Sequence, residues 1–274
     1  MQKYKLLALD MDGTLLTSDK KVHPDTVRDI AYAAGQGLHV VYCSGRTLVE
    51  LQPYADLLPD IRFAVSTSGS EVYDFHEKKF VFRKSIPIDL ARKIVSLIGE
   101  QAGMLQFLTD GVSIIRGDVL DHMEEYHMGV YKELYRSVAI TVPGMTDELD
   151  RHESISKINY YFRSREDWEE AYSKVKNLPL TFACPEEYTL EMTYEGVSKA
   201  LGLQKLAEAL GISMEETIGI GDGDNDRAVL EAVGLSVAMG NAAKGVKDIS
   251  TYETLDNRHD GAALAIRRFA LGEE

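Results

Sequence analysis

Positive charge is in short supply in these 274 residues, cysteine is scarce, and no long apolar run occurs. Each shortage excludes a class of protein. There are 30 Lys and Arg against 44 Asp and Glu, a formal net charge of −14. This argues against nucleic acid or an anionic membrane surface as the main partner, since both reward a basic face. Two cysteines, Cys43 and Cys184, provide neither a disulfide framework nor C-x-x-C metal spacing. Both lie in apolar stretches and are expected to be small core residues. The longest apolar runs fall far short of the roughly 18 residues a membrane span needs. The first of them, Leu6 to Leu9, stops at Asp10 and is too short for a secretory signal. A soluble, cytoplasmic protein is expected. At 45% hydrophobic and 27% charged residues, the chain can bury a sizeable core without metal or disulfide staples.

The pattern that is present alternates. Lys5–Leu9 reads as a buried strand. Pro24 and Asp25 open a helix with Val27, Ile30, Ala31 and Ala34 on one face, stopped by Gly35 and Gly37. Leu38–Cys43 is a second strand, Thr47–Leu58 a helix interrupted near Pro53, and Ile61–Val65 a third strand. Such alternation implies parallel strands with helical crossovers. After about Ser85 the rhythm changes. A helix presents Leu90, Ile94, Leu97 and Ile98. A hairpin turns at Asp110-Gly111, a strand covers Ile155–Phe162, and Ser164 caps a helix carrying Trp168, Ala171, Tyr172 and Val175. Two strands follow, and the stretch 118–149 has no clear period. From Val197 the α/β rhythm returns, with a strand at Thr217–Gly221. The expectation is a Rossmann-like parallel-sheet α/β core, residues 1–84 and 189–274, interrupted by an inserted α+β domain at 85–188.

Four short motifs carry chemistry, three of them at the carboxyl ends of expected core strands, where open α/β sheets bind ligands. In Asp10-Met11-Asp12-Gly13-Thr14 the two carboxylates are two residues apart, so extended chain turns both to one side. Asp10 is suited to nucleophilic attack and Asp12 to proton transfer. Ser44-Gly45-Arg46 offers a hydroxyl and backbone N–H groups to an anion. Lys199 opens a helix and provides a compact cation for a phosphate oxygen. Gly221-Asp222-Gly223-Asp224-Asn225-Asp226 is an oxygen-rich turn suited to a hard cation. It is not an EF-hand loop, because Arg227 and Val233 stand where Gly and Glu are required, and Asp224 breaks a dinucleotide G-x-G-x-x-G. Should Asp10, Asp12, Asp222 and Asp226 converge, each like-charged pair about 4 Å apart would cost roughly 4 kcal/mol at an effective dielectric near 20. A phosphate dianion adds to that cost, so a divalent cation is expected to be required.

This order of motifs resembles the haloacid dehalogenase-like (HAD) superfamily along the whole chain. About ten residues separate Asp12 from Val22, too few for a domain, and the insert lies between the third strand and Lys199. That placement resembles the Cof-type subgroup with an α/β cap, type IIB. The resemblance implies an aspartyl-phosphate mechanism with Asp10 as nucleophile and Asp12 as acid and then base. It implies Mg²⁺ held by the Asp10 carboxylate, the Asp12 backbone carbonyl and Asp222, with Asp226 orienting its water. It also implies a phosphate site built from the Met11 backbone, Ser44, Gly45, Lys199 and Asn225, and a cap that closes as a lid. Two departures, Ser68-Gly69 for Asn-Gly and Lys199-Ala200 for Lys-Gly, bear on substrate and leave the reacting groups intact. His122, Glu125 and His127 share no helical face and read as ordinary solvent-facing polar residues. Trp168, Tyr160, Tyr161 and Tyr172 read as cap core.

The expected activity is Mg²⁺-dependent hydrolysis of small phosphorylated metabolites, with sugar phosphates as the favoured class. A phosphomutase or phosphotransferase using the same intermediate is the near alternative. A non-catalytic phospho-ligand sensor and a receiver-type signalling domain are the distant ones, and an intact Asp10/Asp12 pair speaks against both. Selectivity is expected from residues within 110–190 that no motif marks, and oligomeric state leaves no signal.

Overall fold

Leu6–Leu9 (β1) is buried at every position, the pattern of a strand covered on both faces. The computed structural model describes residues 3–185 and 187–272. After β1 come a helix Pro24–Gly35 (α1), strand His39–Cys43 (β2), helix Leu48–Leu57 (α2) and strand Phe63–Ser66 (β3). Strands Glu71–Asp74 (β4) and Lys79–Arg83 (β5) complete this first stretch.

The inserted stretch runs Ile86–Pro87 (β6), Ile88–Ile98 (α3), Met104–Thr109 (β7), Val112–Arg116 (β8), Lys132–Val138 (α4), Ile140–Val142 (β9), Met145–Glu148 (α5), Ser154–Ile155 (β10), Lys157–Tyr161 (β11), Arg165–Val175 (α6), Leu180–Ala183 (β12) and Thr189–Tyr194 (β13). The return comprises Lys199–Leu210 (α7), Thr217–Gly221 (β14), Arg227–Ala232 (α8), Leu235–Ala238 (β15), Lys244–Lys247 (α9), Tyr252–Glu253 (β16) and Gly261–Ala265 (α10). A wider π-type turn, Ile266–Leu271, continues α10.

Two compact units result: one from residues up to Gly45, Gln52–Phe82 and Ser198 onward, the other from Arg46–Leu51 and Arg83–Val197. The first holds an eight-stranded sheet in the order β16-β15-β14-β1-β2-β3-β4-β5. Pairing is parallel from β16 to β3, and β4 runs antiparallel to β3. The chain steps one way from β1 to β2 and β3, and the other way from β14 to β16. The switch of direction therefore falls beside β1, the position at which open sheets form a ligand crevice.

The second unit holds a six-stranded sheet, β12-β13-β11-β7-β8-β9. The β7–β8 hairpin turns at Asp110 (φ 51°) and Gly111 (φ 78°), two consecutive left-handed residues as a type I′ turn demands. Alternation along its strands separates two faces. Leu105, Phe107, Ile158, Tyr160, Leu190 and Met192 pack with Ile94, Val95 and Ile98 of α3 and with Ala171 and Val175 of α6. The opposite face carries Gln106, Asn159 and Tyr161.

Several expectations are corrected. The inserted unit ends at Val197 rather than 188, because β13 pairs with β11 and β12 and so belongs to the inserted sheet. Arg46–Leu51 also groups with it: Val49 N–H donates to the Gly111 carbonyl at 3.0 Å. Cys184 is exposed, whereas Cys43 is buried as expected. On α1 the buried residues are Thr26, Asp29, Ile30 and Ala33, and Ala31 is exposed. The rotation of that face follows from polar partners: Asp29 meets Arg267 at 2.6 Å and Thr26 meets Asp260 at 2.6 Å. On α3, Ala91 and Val95 are buried and Leu97 is 38% exposed. The unreadable stretch 118–149 contains 3₁₀ turns over Gly117–Tyr126, then α4, β9 and α5.

Candidate active site

Asp10 follows β1, and Asp222 and Asp226 follow β14, its neighbour in the sheet. One carboxylate oxygen from each lies within 4.8 Å of the others. Lys199, the first residue of α7, joins them: its Nζ donates to Asp10 Oδ1 at 2.7 Å and to Asp226 Oδ1 at 2.7 Å. Asp10, Lys199 and Asp226 are all buried. Residues 189 positions apart thus form one charge cluster, held because α7 starts where β3 ends. Ser198 caps α7, accepting the Leu201 N–H at 3.2 Å. Gly69 allows that approach, since a Cβ there would lie 2.0 Å from the Ser198 carbonyl oxygen, and its φ is 92°.

The electrostatics are unbalanced. Three carboxylates surround one ammonium. Asp10 is held well above the usual carboxylate range by burial, then by repulsion from Asp226 and Asp222, against the pull of Lys199. Asp222 is pushed up to about 6 by burial and by Asp226, with the Thr14 hydrogen bond and Lys199 opposing. Lys199 is held well above its ordinary value by Asp10 and Asp226, which outweigh its burial. An all-oxygen donor set with surplus negative charge fits a hard divalent cation.

Each remaining site residue has a defined place. Asp12 stands apart from the three carboxylates: its Oδ1 accepts from Lys20 Nζ at 2.6 Å. Sequence spacing suggested that its carboxylate would join the cluster; the turn after Asp10 aims it at Lys20 instead. The Met11 side chain is buried, and its carbonyl accepts the Leu16 N–H at 2.8 Å. Ser44 is buried at the end of β2, its N–H donating to Val65 and its carbonyl accepting from Ser68. Burial pushes the neighbouring Cys43 thiol up to about 12, and Lys199, Asp226 and Asp10 all act on it. The parallel pairing of β2 with β1, Tyr42 opposite Leu9, puts the Ser44-Gly45 turn on the same sheet edge as Asp10. Asn225 is half-buried on the turn before Asp226. Asp226 Oδ2 accepts the N–H groups of Asp222 and Gly223, both at 3.1 Å, so it also shapes the loop that carries Asp222. His122 and His127 do not converge: one ring meets Glu125 at 3.1 Å, the other the Arg163 carbonyl at 3.4 Å.

Sequence reasoning passed over three contributors. Thr14 Oγ1 donates to Asp222 Oδ1 at 3.1 Å. Lys20 pairs with Asp12. Asn241 donates to Asp222 Oδ2 at 3.1 Å. The available signal for Asn241 was its place after β15, another strand ending on the same edge.

The family of haloacid dehalogenase-like hydrolases matches residues 7–266. Among curated relatives, 5-amino-6-(5-phospho-D-ribitylamino)uracil phosphatase YcsE of Bacillus subtilis is 30% identical over 268 residues, covering 97% of this chain and 96% of that protein. Pyridoxal phosphate phosphatase YbhA of Escherichia coli is 26% identical over 270 residues, covering 96% and 97%. Among solved structures, a haloacid dehalogenase-like hydrolase from Bacteroides thetaiotaomicron superposes with a TM-score of 0.84 at 25% identity, covering 97% of this chain and 99% of that one. The HAD subclass IIB sugar phosphatase BT4131 shares the fold, with a TM-score of 0.79 at 21% identity over 97% and 99% of the two chains.

Proposed function

Because the chain belongs to the haloacid dehalogenase-like hydrolases and is a phosphoric monoester hydrolase for phosphorylated small molecules, we propose that it works through an aspartyl phosphate on Asp10. Asp10 attacks phosphorus and the ester P–O bond breaks. Asp12 delivers a proton to the departing oxygen. Asp12, now ionised, then takes a proton from a water whose oxygen attacks the phosphoenzyme, which releases inorganic phosphate and restores Asp10. The observation that carries this reading is the placement of Lys199 Nζ 2.7 Å from both Asp10 and Asp226, beside Asp222. A buried carboxylate crowded by two others favours its protonated form, which is a poor nucleophile; added positive charge keeps it ionised.

Asp10, Asp222 and the Asp12 carbonyl would hold Mg²⁺, with Asp226 behind them. Bound there, the ion supplies charge neutralisation for the carboxylates and the phosphoryl oxygens. Ser44, Gly45, the Met11 backbone, Lys199 and Asn225 would grip the phosphoryl oxygens by hydrogen bonds and charge. We place the substrates among hydroxyl-rich phosphate monoesters such as sugar phosphates. Supporting this are the phosphoribityl substrate in the name of YcsE and the sugar phosphatase of matching fold.

A panel of phosphate monoesters assayed with and without Mg²⁺ tests the reading. Phosphate release that depends on Mg²⁺ and disappears in Asp10→Asn supports it. Turnover like wild type in that variant removes Asp10 as nucleophile. Isomerised hexose phosphate in place of free phosphate would identify a mutase.

A further inference from the structure

Asp222 is fastened at both oxygens. Thr14 holds Oδ1, and Asn241 Nδ2 holds Oδ2 at 3.1 Å. The same Asn241 Nδ2 donates to the Gly13 carbonyl at 2.9 Å, 228 positions away in sequence. Its Oδ1 accepts the Asn257 backbone N–H at 3.0 Å. All three partners have fixed polarity: a carboxylate and a carbonyl can only accept, and a backbone N–H can only donate. They therefore determine which way the amide faces.

The support behind Asn241 is equally defined. Met239 N–H donates to the Gly221 carbonyl and Gly240 N–H to the Leu255 carbonyl, both at 3.0 Å, while Lys247 Nζ donates to the Gly240 carbonyl at 2.7 Å. Asn257 Nδ2 reaches the Leu16 carbonyl at 2.8 Å. The β15 loop is thus tied to the end of β14 on one side and to the turn after β1 on the other. That turn presses on Asp222, for a Cβ on Gly13 would lie 2.2 Å from Asp222 Oδ2.

We infer that Asn241 is a positioning residue that sets the orientation of the Asp222 carboxylate for a divalent cation by strapping it to the Gly13 turn. The inference rests on the reading of Asp222 as a metal ligand. A rotation of that carboxylate would cost affinity because hard-cation sites depend on where each oxygen points, and hydrogen bonds to a ligating carboxylate supply that direction. Asn241 is exposed, so its side chain can be removed without opening the core.

The test is a Mg²⁺ titration of the metal-stripped full chain, without substrate, by calorimetry and by melting temperature. In Asn241→Ala the Kd for Mg²⁺ should rise about 10- to 100-fold. Its metal-free melting temperature should stay near wild type, while the gain on adding Mg²⁺ shrinks. Asn241→Ser, whose hydroxyl is too short to span the same partners, should behave alike and serves if the alanine variant fails to fold. Asp222→Asn separates the two claims. If Asp222→Asn weakens Mg²⁺ binding and Asn241→Ala does not, the strap is refuted and the metal site stands. If Asp222→Asn binds Mg²⁺ as wild type does, the metal-site reading falls and the strap falls with it. A melting temperature lowered equally with and without Mg²⁺, at unchanged Kd, would make Asn241 a structural residue only and overturn the inference.

Discussion

Asp10 and Asp226 share a single ammonium, and the consequences belong to individual residues. Removing Lys199 leaves two buried carboxylates without their counter-charge. Breaking a buried pair from one side costs about 3–5 kcal/mol. Lys199→Met should therefore lower the urea midpoint at pH 7 by an amount that shrinks at pH 4, where Asp10, held above the usual carboxylate range, takes up a proton instead. An equal loss at both pH values would contradict this account. The pH dependence of the metal-free protein has a definite sign. Asp222 sits at about 6 in the folded chain, above the roughly 3.9 of an unfolded aspartate, so between those values the folded state binds more protons. Stability contributed by this group is present below about pH 4 and is lost as pH rises to about 6. Asp10 is displaced in the same direction. A cation competing with those protons should stabilise more at high pH, so the Mg²⁺-induced rise in melting temperature should be larger at pH 7 than at pH 5.

At the scale of elements, loops and strands divide the work differently in the two units. In the first unit β1, β3, β14 and β15 are buried throughout, and most of the proposed site residues sit on the turns after β1, β2 and β14. The turn after β1 is tight at Gly13, with φ at 92° and a methyl group there only 2.2 Å from Asp222 Oδ2. Gly13→Ala should abolish Mg²⁺ binding and phosphate release while far-ultraviolet circular dichroism stays that of a folded protein; retained binding would show that the turn can yield. In the second unit polar groups lie within the sheet. Gln106 of β7 donates to Ser113 Oγ at 2.6 Å and accepts from Asn159 Nδ2 at 3.0 Å and the Tyr161 hydroxyl at 2.9 Å. These side chains are buried. Gln106→Leu removes their common partner and should destabilise the protein by about 1–3 kcal/mol, the cost of leaving a buried polar group unmet. Urea denaturation measures it.

For the whole molecule, the residues proposed for nucleophilic attack, proton transfer, metal and phosphate binding all fall in the first unit, on the segments 10–12, 44–45, 199 and 222–226. Stabilisation by a bound ion is felt where the ion binds. Mg²⁺ should accordingly raise hydrogen-exchange protection in the turns after β1, β14 and β15 and leave the six-stranded sheet of the second unit unchanged. Equal gains in both units would show that they respond as one. Much of this arrangement was legible in sequence: the parallel α/β rhythm, the interruption near Ser85, and Asp10, Ser44 and Asp222 at strand ends. Lys199 was legible by its order among the motifs, since a lone lysine carries no chemical signature. The far boundary of the insert was missed because β13 is assigned by the strands it pairs with, and α1's buried face because Asp29 finds Arg267 from the other end of the chain.

What the sequence by itself determined was local: which segments form strands and helices, where the turns fall, and which functional groups stand on those turns. These follow from periodicity, glycine and proline placement and side-chain chemistry within a few residues. Only the tertiary structure decided which groups meet. It set Asp12 on Lys20 and apart from the carboxylate cluster, gave Lys199 to Asp10 and Asp226 together, and brought Asn241 to Asp222 and Gly13. Hydrogen bonds and charge pairs act over a few ångströms, and whether residues some two hundred positions apart come that close depends on strand order and register in the folded sheet.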